Sequence, residues 1–161
     1  MKQQASGMLR AAKAEIDKKV KAKLDEQAQD ALRHIRDRTL RGIGVNDRRF
    51  EPYRPSVAKR KGRTAPVTLR QSYEMMNSLY VRPGAGNKRE ILFRDRGRNE
   101  RIGRYHQTGT RNSDGSRRMA QRRWFGLTLR YSRQAAQKFG QGFEVLTPTD
   151  RRRSFKISLV V

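Results

Sequence analysis

Apolar residues recur at three- and four-residue steps through residues 8–41, a stretch that contains neither Gly nor Pro. This spacing places one apolar stripe on a helix. The sequence therefore predicts a long amphipathic helix from Met8 to Arg41 that ends at Gly42. Because the stripe is narrow, the helix is expected to pack on one surface. The stripe consists of Ile16, Val20, Leu24, Ala28, Ala31, Leu32, Ile35 and Thr39.

The segment 42–67 contains three prolines, the basic run Lys59–Lys61 and scattered apolar residues. It is predicted to be an extended loop, with Phe50 and Tyr53 anchoring its start. A connection of this length is either functional or mobile.

Residues 68–139 carry mixed helix and strand patterns. Thr68 is expected to cap a second helix that runs to Leu79, with Leu69, Tyr73 and Met76 on its apolar face. Two strands, Leu79–Arg82 and Glu90–Arg94, are predicted around a turn at Pro83–Lys88.

The pattern beyond residue 100 predicts a short helix or turn over Arg101–Gln107, ended by Gly109. The polar stretch Thr110–Gln121 is predicted to be a mobile loop, and Trp124–Leu127 to return to the core. Further expected elements are a helix over Arg133–Phe139 between a Ser132 cap and Gly140, and a closing hairpin formed by 142–147 and 154–161.

These elements together predict one α+β domain over residues 1–161. Its expected parts are a long N-terminal amphipathic helix, a second short helix, a small antiparallel sheet, a C-terminal helix and a closing hairpin extension over 140–161. Leu, Ile, Val and Phe contribute 31 of the 161 residues, a thin supply for a core. We therefore expect contacts with other subunits or with a polyanion to complete the stability of the fold.

Charge indicates the class of partner. The chain has 39 basic and 15 acidic side chains and a net charge of +24. Such a surface attracts polyanions, and counterion release favours Lys and Arg contacts with phosphate whatever the base sequence. The candidate contact residues are Arg117, Arg118, Arg122, Arg123, Arg151, Arg152 and Arg153. They are as consistent with sequence-independent phosphate contacts as with a solvated basic surface or salt bridges to an acidic neighbouring subunit.

Signals for catalysis or for a bound cofactor are weak. His34 and His106 are isolated from each other in sequence, and cysteine is absent, so neither a triad nor a zinc site is predicted. His106 is expected to have a structural or hydrogen-bonding role, and Trp124–Phe125 to be core. No stretch has the apolar length of a signal peptide or a membrane span, so synthesis as a soluble cytoplasmic protein is expected.

The order of several short motifs resembles the phage virion morphogenesis, or tail-completion, family of Mu-like and related tailed phages. The resemblance covers residues 15–139, and Tyr73 stands where the family usually has Gly. It rests on the long helix, Arg38-Thr39, Gly42-Ile43, Phe50, Pro52-Tyr53, Lys59–Gly62, Leu69, Ser72, Asn77–Leu79, Tyr105, His106, Gln107, Gly109 and the run Arg122-Arg123-Trp124-Phe125-Gly126-Leu127.

The resemblance implies a non-enzymatic structural protein of the virion neck. Such proteins form a ring around the DNA channel, complete the tail or join it to the head, and contact portal or head-closure and tail-tube proteins. A six-fold ring and contact with double-stranded DNA without sequence specificity would follow. The alternative is a cellular RNA- or ribosome-associated basic protein, although no RNA-binding module is recognisable. A nuclease would need clustered carboxylates, which the dispersed acids do not suggest.

Overall fold

The computed structural model describes residues 2–62, 67–69, 73–95, 97–141 and 157–159, which form an α+β fold. The helices are α1 Lys2–Leu40, α2 Pro55–Lys61, α3 Glu74–Asn77, α4 Arg98–Thr108 and α5 Leu129–Gln141. The strands are β1 Leu79–Pro83, β2 Arg89–Phe93, β3 Thr110–Arg111, β4 Arg117–Met119 and β5 Ile157–Leu159.

Helix α1 follows the predicted stripe closely. The stripe is buried from Val20 to Thr39, and Ile16 is half-buried. The helix starts earlier than predicted, and residues 6–15 are exposed along its N-terminal part. It ends where expected, because Gly42 has a φ of 76° and its N–H bonds to the Thr39 carbonyl at 2.9 Å.

The predicted strand pair forms with almost the predicted bounds. Strands β1 and β2 pair antiparallel, with Leu79 opposite Phe93 and Pro83 opposite Arg89. Strand β5 pairs parallel with the other edge of β2, giving the order β1-β2-β5. The predicted closing hairpin therefore contributes a strand to this sheet, while its other half, 142–147, lies outside the described residues.

Arginines fasten α1 to the sheet. Arg89 of β2 is buried, forms an ion pair with Asp25 and donates to the Lys21 carbonyl at 3.2 Å. Arg36 of α1 donates to the carbonyls of Met76 and Leu79 at 3.0 and 2.7 Å. Arg36 thus bonds carbonyls at the end of α3 and the start of β1, whereas Arg89 joins β2 to the middle of α1.

The prediction of a structureless 42–67 segment was wrong, because Pro55–Lys61 forms α2. Pro55 occupies the first helical turn, where its fixed φ and missing N–H are tolerated. Gly62, with a φ of 65°, closes the helix. Phe50 is buried and Tyr53 packs on the core, as predicted.

The prediction of a helix capped by Thr68 was also wrong. Helix α3 begins at Glu74, and Leu69 has a φ of 49°, which a right-handed helix does not contain. Thr68 is buried, and its hydroxyl has no hydrogen-bond partner among the residues that the structure describes. Leu69 is buried apart from the helix, while Tyr73 is its left-handed N-cap residue and Met76 is fully buried.

The predicted mobile loop 110–121 instead contains the antiparallel hairpin β3–β4. Its turn is held by the Asn112 N–H to the Ser116 carbonyl at 2.8 Å and by the Ser116 N–H to the Asp114 carboxylate at 2.8 Å. Gly115 supplies the left-handed position, with a φ of 78°. Asp-Gly is a common hairpin turn, so the composition that suggested a loop also suits a turn.

Helix α5 begins four residues before its predicted start. Thr128 caps it, since the Thr128 hydroxyl accepts the Tyr131 N–H at 3.1 Å. Ser132, the predicted cap, lies within the helix and donates back to the Thr128 carbonyl at 3.1 Å. The helix is tied to α1 by Gln27, which donates to the Ala135 carbonyl at 3.0 Å, and by Tyr131 stacked on His34 at 4.2 Å.

A hydrophobic cluster lies between α1, the β1–β2 pair and the Trp124–Phe125 segment. Trp124 is 1% exposed and packs with Phe93 and Phe125. In the part of the chain that the structure covers, no helix combines the length and apolarity needed to cross a bilayer.

Candidate nucleic-acid interface

Two motifs of the family resemblance, Tyr105–Gly109 and Arg122–Leu127, meet in space at Gln107. Its side-chain oxygen accepts the N–H groups of Trp124 and Phe125 at 3.1 and 3.0 Å. Its side-chain nitrogen donates to the Phe125 carbonyl at 3.2 Å. One amide thus satisfies three backbone groups of a segment that lies in neither helix nor strand, which fixes that segment against α4.

Arg38 holds the same segment from the other side. It is 2% exposed and donates to the carbonyls of Trp124 and Gly126 at 2.5 and 3.0 Å. Burial lowers the pKa of Arg38. This guanidinium is a structural bridge between α1 and the Trp124–Gly126 run.

Glycines permit the close packing of α4. A Cβ at Gly103 would lie 2.7 Å from the Phe93 ring, and the Trp124 indole N–H donates to the Gly103 carbonyl at 3.0 Å. Gly109 has a φ of 75°, and a Cβ there would lie 2.9 Å from the Met119 carbonyl oxygen. Both positions therefore require a residue without a side chain.

The motif residues predicted to be structural have different environments. Trp124 and Phe125 are buried, as predicted, while Gly126 and Leu127 are half-buried. Tyr105 is 47% exposed, so it is not a core residue. His106 is half-buried on α4, and its carbonyl accepts the Arg122 N–H at 2.7 Å.

The electrostatic setting of His106 is unusual. Burial, with the nearby charges of Arg122 and Lys61, lowers the pKa of His106 to about 4. The imidazole is therefore neutral at physiological pH. Its Nδ1 atom has no hydrogen-bond partner within the described ranges.

The predicted contact arginines divide into three groups. Arg117, Arg118 and Arg123 are exposed, and Arg117 forms an ion pair with Glu51. Arg151, Arg152 and Arg153 lie outside the described residues. Arg122 is 4% exposed, unlike the three exposed arginines, so its side chain is turned into the protein. Its guanidinium carbon lies 5.4 Å from the centre of the Tyr53 ring, a cation–π contact that favours this inward orientation.

A cleft of about 830 Å³ lies between α2, the β3–β4 hairpin and α4. Arg54, Arg60 and Lys61 line it from α2 and the residue before it, and Arg111, Arg117 and Arg118 line it from the hairpin, with Arg122 also in its wall. The acidic lining residue is Glu51. A concave surface with this charge concentrates anions.

Sequence reasoning missed this cleft and several of its residues. The Lys59–Lys61 run was visible, but it was assigned to a loop with no partner element. The sequence also placed no aromatic platform among the Arg clusters, whereas the fold brings Tyr53 and Tyr105 to the same cleft. The sequence carries no local pattern for this cleft, because residues about 50 to 70 positions apart form its two sides.

Other chemistry has little support in the described ranges. No group of three or more His, Asp or Glu side chains there could hold a metal ion. A second, smaller cavity of about 340 Å³ shares Tyr53, Lys61 and His106 with the cleft. The arrangement suits anion binding and protein contacts.

Comparison of the chain with family models, with curated proteins and with solved structures gives no match. The function must therefore be argued from the motifs and from the geometry of the chain itself.

Proposed function

We propose that the chain is a structural protein of a tailed-phage virion neck. In this role it completes the tail or joins the tail to the head, as a homo-oligomeric ring around the DNA channel. Its neighbours are portal or head-closure proteins and tail-tube proteins, and double-stranded DNA passes through without sequence-specific contact. The protein acts in assembly and catalyses no reaction.

One observation carries the proposal: three motifs of the family resemblance that are far apart in sequence belong to one contact network. Arg38, from the Arg38-Thr39 motif, bonds the Trp124–Gly126 run, and Gln107, from the Tyr105–Gly109 motif, bonds it from α4. Val45 also donates to the Arg123 carbonyl at 2.8 Å. Contacts among these motifs support the family resemblance, because a fold shared with the family would explain why the motifs occur in this order.

Tyr73 adds an independent argument. It stands where the resembled family usually has Gly, and its φ is 56°. Gly adopts this left-handed conformation without a steric penalty, whereas other residues adopt it at a cost of roughly 1–2 kcal/mol. The backbone at this position therefore has the conformation that a Gly in the family pattern would favour.

Helix α1 supports assembly. At 39 residues it is about 58 Å long, yet residues 6–15 are exposed, with Met8 at 75% and Leu9 at 73%. Helical stability in proteins comes mostly from packing of one face against other elements. A neighbouring subunit or neck protein would supply that packing for the N-terminal part of α1.

The proposed assembly role is tested in the phage that encodes the chain. With a nonsense mutation in this gene, we expect full heads and separate tails, and expression of the intact chain in the host should restore joined particles. Electron micrographs count the three kinds of particle. Normal joined particles made without the chain would refute the neck role.

The proposed DNA contact is tested by salt dependence. Each phosphate contact contributes a slope of about −0.9 in log K against log salt for duplex DNA. Neutralising Arg151, Arg152 and Arg153 together should flatten the slope by up to about 3. The matched control changes Lys18, Lys19 and Lys21 to Gln, which removes the same charge from an exposed face of α1.

The two readings of the Arg151–Arg153 triplet give different outcomes. A flattened slope with the triplet and a nearly unchanged slope with the lysine control support DNA contact. An unchanged slope combined with heads and tails that fail to join would make the triplet a contact to an acidic neighbour protein.

A cellular RNA-associated protein is the second candidate, favoured by the exposed Tyr105 ring in the basic cleft. Crosslinking in the native host separates the two roles. Recovery of ribosomal or messenger RNA, with no association with phage particles, would favour this candidate over the neck protein.

A further inference from the structure

We propose that the cleft between α2, the β3–β4 hairpin and α4 binds a phosphate-bearing segment of single-stranded nucleic acid, with one phosphate at Arg122 and a base against Tyr105. Of the predicted contact arginines, Arg117, Arg118 and Arg122 line this cleft. This site does not depend on assembly into a neck.

The first argument is the incomplete pairing of Arg122. It is the one buried cation among the described residues that line the cleft, at 4% exposure. Its guanidinium donates to the carbonyls of Ala120 and Glu51 at 3.4 and 3.3 Å, both long hydrogen bonds. The Nε–H has no partner among the described residues.

A buried charge without a counter-charge is costly. The Glu51 carboxylate is engaged with Arg117 on the exposed side of the cleft. An anion that enters the cleft would give Arg122 a charge-assisted partner, and guanidinium groups bind phosphate oxygens in a bidentate geometry.

The second argument concerns the shape and composition of the cleft. Its volume of about 830 Å³ lies in the usual range for small-molecule sites. This space suits nucleotide-sized groups rather than an intact double helix. The exposed cations Arg54, Arg60 and Arg118 line it and can follow the charge of a flexible backbone.

Tyr105 distinguishes nucleic acid from an acidic peptide. Its ring is 47% exposed and lines the cleft beside the basic side chains. Unpaired bases stack on such rings, and every base offers a flat face. Tyr53 is less available, because Lys61 lies 4.6 Å from its ring centre and Arg122 lies 5.4 Å from it.

Binding is tested by fluorescence anisotropy with a labelled eight-nucleotide thymidylate strand. Arg122→Gln should weaken binding about tenfold or more, and Arg130→Gln, an exposed residue of α5 outside the cleft lining, should change it less than about twofold. Tyr105→Leu should weaken binding at least about fivefold through lost stacking. Because Arg122→Gln could impair folding, the exposed pair Arg60→Gln and Arg118→Gln provides an independent variant with the same expected loss.

Competition identifies the source of the phosphate. Displacement of the labelled strand by thymidine 5′-diphosphate would show that a free nucleotide is enough to occupy the cleft. Failure of this nucleotide to displace the strand would show that a connected strand is needed. Both results support the cleft as the binding site. Three results overturn the proposal: equal losses for Arg122→Gln and Arg130→Gln, no loss for Tyr105→Leu, or competition by hexaglutamate equal to that of a thymidylate strand of the same charge.

His106 provides a second readout. Its neighbours in the cleft include the cations Arg122 and Lys61 and the phenol of Tyr53, with Glu51 also lining the cleft. An anion bound beside Arg122 would offset the positive potential and raise the pKa of His106 from about 4 towards 6.5. NMR titration with and without the thymidylate strand should show this rise at His106 but not at His34, and an unmoved His106 would contradict the assigned position of the phosphate.

Discussion

At the scale of single residues, the half-buried side chain of Gln107 forms three hydrogen bonds with the backbone of one segment. It satisfies the N–H groups of Trp124 and Phe125 and the carbonyl of Phe125. The Trp124–Phe125 segment has no ladder or helix to supply these partners. Gln107 of α4, together with Arg38 of α1, therefore holds this segment in the core.

Replacing Gln107 by Ala should lower the free energy of unfolding by about 2–4 kcal/mol, because two backbone donors lose their acceptor. Urea denaturation followed by the fluorescence of Trp124, the single tryptophan, measures this. The control is Gln121→Ala, an exposed side chain that donates to the Gln107 carbonyl; it should cost less than about 1 kcal/mol. Equal costs for the two variants would contradict the assigned role.

The pKa of His106 predicts a pH dependence of stability. Its folded pKa of about 4 lies below the ordinary value of 6.5, so the unfolded chain binds this proton first as the pH falls. The contribution of neutral His106 to the free energy of unfolding is complete above about pH 6.5 and is lost between about pH 6.5 and 4. At 1.36 kcal/mol per pK unit, this contribution amounts to about 3 kcal/mol.

His106→Gln should remove that part of the pH dependence. Burial also lowers the pKa of His34, so its contribution has the same sign and remains in the variant. Unfolding free energies of the two proteins at pH 7 and at pH 4.5 give the comparison. Equal losses of stability between pH 7 and pH 4.5 in the two proteins would mean that folding does not lower the pKa of His106.

At the scale of elements, Gly109 links the end of α4 to the start of β3. Gly109→Ala should destabilise the fold by about 2 kcal/mol more than Gly115→Ala. Both glycines have a φ near 75–78°, so both variants carry the strain of the left-handed region. The added Cβ at Gly109 meets the Met119 carbonyl oxygen at 2.9 Å, whereas at Gly115 nothing lies within 4 Å.

Comparing the thermal unfolding of the two glycine variants separates the effect of the Cβ contact with the Met119 carbonyl from the effect of backbone strain, which both variants share. Midpoints that fall equally for both would show that strain alone matters and that α4 and the hairpin are not closely packed there.

Elements with strong periodicity could be predicted from the sequence. The stripe from Val20 to Thr39 and the β1–β2 pair follow from patterns of period 3.6 and 2. Helix α2 could not be predicted in the same way, because its seven residues carry too little apolar periodicity. Its Pro55 and Gly62 boundaries were visible, and they were interpreted as features of a loop.

The candidate site was less predictable than the elements. Motif order drew attention to Gln107 and Trp124, and burial of the Trp124 ring was expected from its type. The inward turn of Arg122 and the approach of α2 to the β3–β4 hairpin depend on contacts between residues distant in sequence. Local patterns contain no information about such contacts.

At the scale of the whole molecule, the exposed N-terminal part of α1 favours assembly, whereas the net charge of +24 makes subunits repel one another. The N-terminal part of α1 gains little packing from its own chain. Closed rings cover such surfaces by repeating one heterologous contact. Polyanionic DNA in the channel would offset the charge.

Negative-stain electron microscopy of the purified protein, with light scattering on the same sample, tests the ring most directly. The account predicts uniform closed rings with a central channel, alone or after addition of portal or tail-tube proteins, and the family resemblance favours six-fold symmetry. A protein that stays monomeric by light scattering with those partners and shows no rings would contradict it.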